Sequence, residues 1–168
     1  VAVLRELTAN GIDAVRELGS EVPVEVTLPS LNNPMLQVKD HGIGMSEEVM
    51  TNTFGNYMAS LKRGNQSLIG EKGAGAKTPY AIADQFTVES TYRGVTTLMI
   101  MSKLENGATG YKVLSSKKTG KKSGTTINVP VSIKSDFNGW IRAAEETFFY
   151  FDKNVVKVNG KFPINYTD

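Results

Sequence analysis

The sequence predicts an α+β sandwich, with helices on one face of a mixed, largely antiparallel sheet. Three observations carry that prediction. The chain opens on a segment with apolar residues at helical spacing, and its second half alternates in β-branched runs. A capped amphipathic segment follows those runs. With 168 residues and 40% hydrophobic content, the chain suits a single domain over 1–168 with a real core.

The elements follow in order. VAVLRELTANGIDAVREL places Leu4, Leu7, Ala14, Val15 and Leu18 on one side of a helix, which Gly19 and Ser20 stop ahead of Pro23. Residues 22–28, VPVEVTL, read as a strand, residues 30–34 as a turn, and MLQVKD as a second strand running into Asp40. Ser46 opens a short helix, SEEVMTNTF, and residues 55–69 are a polar, weakly periodic loop. Thr78 to Ala83 is a short helix with a proline near its start. QFTVES, GVTTLMIMSK, GYKVLSS and GTTINVPV read as consecutive antiparallel strands of a meander. SSKKTGKKSG, residues 115–124, is then a basic hairpin tip, a solvated loop that blunts aggregation. Asp136 caps a helix, FNGWIRAAEETFFYF, and KNVVKVNG closes as a strand. The aromatics of residues 147–151 are too dense for one buried stripe. Some face a partner or a missing segment, although a helix end packed on the sheet is the simpler account.

Composition excludes several classes. No apolar run approaches the ~20 residues of a membrane span. The absence of cysteine removes disulfides and thiolate metal sites and fits a cytosolic setting. A net charge of +2 is too small to argue for direct contact with nucleic acid or an anionic membrane. The chain opens without Met inside a helical pattern, so it is expected to be part of a longer protein.

Chemistry enters in the first helix. Glu6, Asn10, Asp13 and Glu17 share one stripe, distinct from the apolar one. A solvated polar face is the plain reading. Against it, Asn and Asp are poor interior helix residues, and Gly11 in mid-helix costs ~1 kcal/mol relative to Ala. An amide and a carboxylate one turn apart can divide two tasks, one holding a hard cation and the other orienting a water. Asp40 ends a buried-looking strand, where its charge needs a partner. Backbone N–H groups of the following turn are one candidate partner and a ligand is another. His41 reads as simply exposed. IGEKGAGAKTPYAIAD, residues 69–84, is either a phosphate cradle or a flexible turn when taken alone.

Together these boxes resemble a known family. RELTANGIDA is similar to the E-x-x-x-N-x-x-D-A box of the ATPase superfamily that unites DNA gyrase, the ninety-kilodalton heat-shock chaperone, histidine kinases and MutL repair proteins. VKDHGIGMS matches its D-x-G-x-G, IGEKGAGAKTPYAIAD sits where its glycine-rich turn follows a variable lid, and SGTTINV supplies its late Gly-Thr at Gly124 and Thr125. The resemblance implies a Bergerat-type two-layer sandwich that binds ATP and Mg²⁺. It implies that Asp40 and Thr125 read the base, that Gly42 and Gly44 let the backbone approach the purine, and that Met45 or Ile43 packs on the ring. Asn10 would hold Mg²⁺ and Glu6 would orient or deprotonate the attacking water, with Asp13 a structural hydrogen-bond partner. Gly70, Gly73, Ala74 and Gly75 would form the phosphate turn, with Lys77 touching phosphate. Lys62 and Arg63 lie in a lid spanning about 46–73.

The expected activity is slow ATP hydrolysis driving a switch, with dimerisation or docking on a protein partner when ATP is bound. Gyrase- and MutL-like members bring a lysine from a following domain, so the isolated domain is expected to hydrolyse little. Two other readings are a nucleotide-binding interaction module and a histidine-kinase catalytic domain. Glu6 and the lack of a phospho-acceptor histidine disfavour the latter. Within the superfamily, VLRELTANGIDA, the run YMASLKRGNQSLIGEKGAGAKTPYAIADQFTVES and SGTTINVPVSIKSDF look most like rIIA-like proteins of tailed bacteriophages. That group commonly has Gly-Phe where this chain has Glu71-Lys72. The likeness implies a protein of the host cytoplasm.

Overall fold

Strands of this chain bury every second side chain, and that alternation builds one face of a seven-stranded sheet. The computed structural model describes residues 2–55 and 75–163. Its elements are helix α1 (Ala2–Glu17), strands β1 (Val24–Thr27) and β2 (Met35–Asp40), and helix α2 (Glu47–Met50), which runs into a π-helical turn, Thr51–Gly55. A 3₁₀ turn, Thr78–Ala81, leads to β3 (Gln85–Tyr92), β4 (Val95–Lys103), β5 (Thr109–Lys118) and β6 (Gly124–Pro130). Helix α3 (Phe137–Phe148) and strand β7 (Val156–Val158) complete them. The sheet order is β5-β4-β3-β6-β2-β1-β7, antiparallel throughout except for the parallel β1–β7 pair. The α+β class with a mixed, mostly antiparallel sheet is therefore as expected.

Helix α1 packs on β1 and β2 and touches α3. Leu4 and Leu7 from α1, Val24, Leu36, Val88, Met99 and Val129 from the sheet, and Phe148 from α3 share one core. Caps behave as the sequence suggests: Ser46 accepts from the Val49 N–H and Asp136 from the Gly139 N–H.

Four expectations need correction. Thr78–Ala81 is a single 3₁₀ turn and not a helix to Ala83, because Pro79 starts it and only one turn forms. The meander stops at three strands. β6 returns to lie between β3 and β2, pairing with both. Its inward residues Thr125, Ile127 and Val129 are buried and belong in the centre, whereas every residue of β5 is exposed or half-exposed and suits an edge. SSKKTGKKSG is consequently the end of β5 and the crossover over residues 119–123 that leads to β6, and not a hairpin tip. Along it the Thr119 N–H donates to the Gly94 carbonyl, and the Ser123 hydroxyl donates to the Gly42 carbonyl at 2.7 Å. Finally, α3 ends at Phe148. Phe148 is buried and meets Phe151 edge-on at 5.1 Å, while Tyr150 is 85% exposed. The loop expected over 55–69 and most of the span about 46–73 lie outside the described residues.

Gly11 now has a reason that outweighs its cost to helix propensity. A Cβ there would sit 3.0 Å from Val24 Cγ2 and 3.3 Å from Asp40 Cβ, so its absence lets α1 lie close on the sheet. Gly42 makes a second close approach, to the backbone of α1. Its Cβ would stand 2.5 Å from the Ala14 carbonyl carbon, and the next N–H, of Ile43, donates to the Ala14 oxygen at 3.1 Å. Gly42→Ala is expected to cost about 1–3 kcal/mol through overpacking, read as a fall in Tm. Gly110→Ala, whose Cβ meets nothing closer than 3.9 Å, leaves Tm undiminished in the same thermal melt.

Candidate functional site

The close seating of α1 leaves a cleft of about 430 Å³ beside it, walled by α1, β2, β6 and the segment from Ile43 to Phe54. Asn10, Asp13 and Glu17 line it from α1, so three of the four stripe residues face the same space. Glu6 does not line it. Its carboxylate, half-exposed, lies 3.7 Å from the Arg5 guanidinium. The link between Glu6 and the cleft is Gly75. A Cβ at Gly75 would lie 3.3 Å from Glu6 Oε2 and 3.5 Å from Asn10 Nδ2. The last glycine of the box thus packs closely against the amide and the carboxylate together, where a side chain would crowd both.

Asp40 supplies the other end. It is 8% exposed and lines the cleft. The Gly42 N–H donates to its Oδ1 at 2.9 Å, so the turn backbone does satisfy part of this carboxylate, and the rest faces the cleft. Burial pushes its pKa up to about 6; backbone N–H groups of Gly42 and Thr125 and the neighbouring His41 pull it back. Thr125 is its register partner on β6 and also lines the cleft. Behind Thr125, Ser90 Oγ lies 2.7 Å from Thr125 Oγ1 and accepts from the Met45 N–H at 2.8 Å. Ser90 was not among the expected site residues. The signal for it is parity, since Phe86 and Val88 alternate inward and Ser90 follows them on the same side.

The glycines of D-x-G-x-G act differently from the expectation. Gly42 is not in the cleft wall, and the space it clears belongs to Ala14. Gly44 does line the cleft, but at φ +76 its missing Cβ avoids the Thr91 carbonyl oxygen, which would lie 1.9 Å away. Gly124, at φ +150, likewise makes way for the Asp40 carbonyl. Close approach of backbone to backbone gives each of these glycines a packing reason of its own. Both Ile43 and Met45 line the cleft. His41 is not merely exposed: its Nε2 lies 2.8 Å from Glu25 Oε2.

Lys77 is also placed otherwise than expected. Its ammonium donates to Thr109 Oγ1 at 2.9 Å and to the Phe54 carbonyl at 3.3 Å, and it is not among the cleft-lining residues. Partial burial lowers its pKa. Gly70, Gly73, Ala74, Lys62, Arg63 and Glu71-Lys72 lie outside the described residues. Among the described residues no cluster of three or more acidic or histidine side chains could hold a metal. The donor present for a hard cation is the Asn10 amide, which fits Mg²⁺ completed by ligand phosphates and water.

An α+β sandwich with a carboxylate at one end of its cleft and an amide beside a glycine turn at the other has the layout of a nucleotide-binding ATPase domain. Residues 1–138 match the histidine kinase-, DNA gyrase B- and HSP90-like ATPase family, and the chain belongs to that family. Among curated proteins it is 28% identical over 150 residues to the chaperone protein HtpG of Borreliella burgdorferi, and 27% identical to HtpG of Borrelia garinii subsp. bavariensis. Each alignment covers 75% of this chain and 23% of the relative, so the chain spans less than a quarter of the length of these chaperones. HtpG of Borreliella afzelii is similar at 27% over 139 residues.

Buried Asp40 makes stability depend on pH with a definite sign. Its folded pKa lies above the ordinary 3.8, so its favourable contribution is full below about pH 4 and is lost as pH rises through about 6. The gap corresponds to about 3 kcal/mol. Asp40→Asn, which carries no charge at either pH, is expected to gain stability over the native chain between pH 4 and pH 7.5 in urea denaturation. An Asn–Asp difference that does not change with pH contradicts the burial of the ionised group.

Proposed function

We propose that this chain is a Mg²⁺-dependent ATP-binding and ATP-hydrolysing switch domain. The observation that carries the reading is the cleft that brings Asn10, Asp40 and Thr125 together, with Gly75 packed against Asn10 and Glu6 just outside its wall. In this reading the ionised Asp40 accepts a hydrogen bond from the adenine amino group, with Thr125 beside it. Ile43 and Met45 cover the ring. Gly75 keeps a side chain away from Asn10, whose amide would hold Mg²⁺, and that ion would supply charge neutralisation for the phosphates. Glu6 orients the attacking water and receives its proton, a role that contributes ~10²–10⁴-fold where a base is well placed.

The ATP-bound form dimerises or docks on a protein partner, and the domain works in the cytoplasm. In the narrower reading, suggested by the resemblance of its sequence runs to phage rIIA-like proteins, it acts in infected host cells. No helix among the described residues is long and apolar enough to cross a membrane.

One observation favours a second reading, binding with little hydrolysis. Glu6 lies outside the cleft wall and sits near Arg5. Calorimetry and phosphate release separate the two. Asp40→Asn is expected to weaken Mg·ATP binding about 10–100-fold, the value of a hydrogen bond to a charged group. Equal affinity in both chains would sink the base-reading role. Glu6→Ala is expected to leave ATP affinity within about threefold while phosphate release falls ~10²-fold or more. An unchanged rate in Glu6→Ala leaves the interaction-module reading standing.

A further inference from the structure

Ser90 lies behind the base end of the cleft and not in its wall, and the reading above gives it no task. It is fully buried, with an exposure of 0%. Three polar groups converge on its hydroxyl: the Met45 N–H at 2.8 Å, Thr125 Oγ1 at 2.7 Å and the Gly124 carbonyl oxygen at 3.3 Å. Proton accounting leaves two arrangements, Thr125 donating to Ser90 or accepting from it, and the distances favour the second. Ser90 and Thr125 each carry one hydroxyl proton, and the Met45 amide occupies one acceptor direction of Ser90. The Ser90 proton then has two destinations. The 2.7 Å contact to Thr125 is at the ideal O–H···O length, whereas 3.3 Å to Gly124 is beyond the usual range. With that proton accepted, Thr125 keeps its own proton for another partner, and Thr125 lines the cleft. Its register partner Asp40, when ionised, only accepts. The wall therefore presents an acceptor next to a donor.

We infer that Ser90 is a positioning residue that fixes Thr125 as a hydrogen-bond donor, so that the cleft selects 6-aminopurine over 6-oxopurine nucleotides. The inference rests on the ATP-binding reading. A 6-aminopurine offers an amino donor beside a ring-nitrogen acceptor, which matches Asp40 and Thr125 in that order. A 6-oxopurine offers the reverse, and both wall groups are then mispaired, the situation in which polar sites discriminate most. Without the Ser90 hydroxyl, Thr125 turns either way and the Met45 N–H loses its acceptor.

The test compares Mg·ATP with Mg·ITP by calorimetry on the full chain. The native chain is expected to prefer ATP. Ser90→Ala is expected to lower ATP affinity about fivefold to tenfold, with ITP affected less, so that the ATP:ITP ratio shrinks. Added to Thr125→Val, Ser90→Ala is expected to change the ratio no further. Equal loss for both nucleotides, or the same loss in the Thr125→Val background, marks a purely structural serine and overturns the inference. Should Ser90→Ala fail to fold, Thr125→Val alone decides, since a ratio it leaves unchanged overturns the inference too. Absence of ATP binding by the native chain overturns the proposed function and this inference with it. Native binding with an unchanged ratio in Ser90→Ala overturns the inference alone.

Discussion

The contact on which the rest of the structure depends is the close approach of α1 to the end of β2 and the turn that follows. Two glycines permit it from opposite sides: Gly11 on the helix, against Val24 and Asp40, and Gly42 in the turn, against Ala14. Bringing backbones this near removes the layer of side chains that would otherwise fill the space between helix and sheet. The same approach holds Asn10 over the cleft while burying Asp40 at its base. The helix gives up intrinsic propensity at Gly11 and recovers it in packing, so stability and site geometry come from one contact.

Much of this was legible in the residues, and the exceptions have physical causes. The stripe Glu6, Asn10, Asp13 and Glu17 followed from helical spacing, and the buried strand end at Asp40 followed from MLQVKD. The place of β6 was not legible, because alternation tells which face a residue takes and not which strand lies beside it. Lys77 shows the same limit for a long side chain. Its position after a glycine box suggests phosphate, but its four-carbon stem carries the ammonium to Phe54 and Thr109 instead. The glycines of DHGIGM carried a family expectation about ligand approach, whereas the nearest atoms belong to Ala14 and Thr91. Ser90 escaped notice because one serine in a strand has no local signature, only a parity.

Asp40 combines two demands that pull against each other. Accepting a hydrogen bond most strongly calls for the ionised form, and burial favours the neutral one. Backbone N–H groups of Gly42 and Thr125 partly resolve the conflict by stabilising the ionised carboxylate. A carboxylate placed this way carries a standing desolvation cost, which a hydrogen-bond donor in the cleft would offset.

The insertion of β6 between β3 and β2 has a bearing on how the domain comes to exist at all. Asp40 and Thr125, neighbours across the sheet, come from distant parts of the chain. Local hairpins such as β3–β4 and β4–β5 can form early, but the central pairing must wait for a long loop to close. The pairing that joins Asp40 to Thr125 closes a longer stretch of chain than either hairpin does, so a ligand held across those two strands favours the folded chain over the unfolded one.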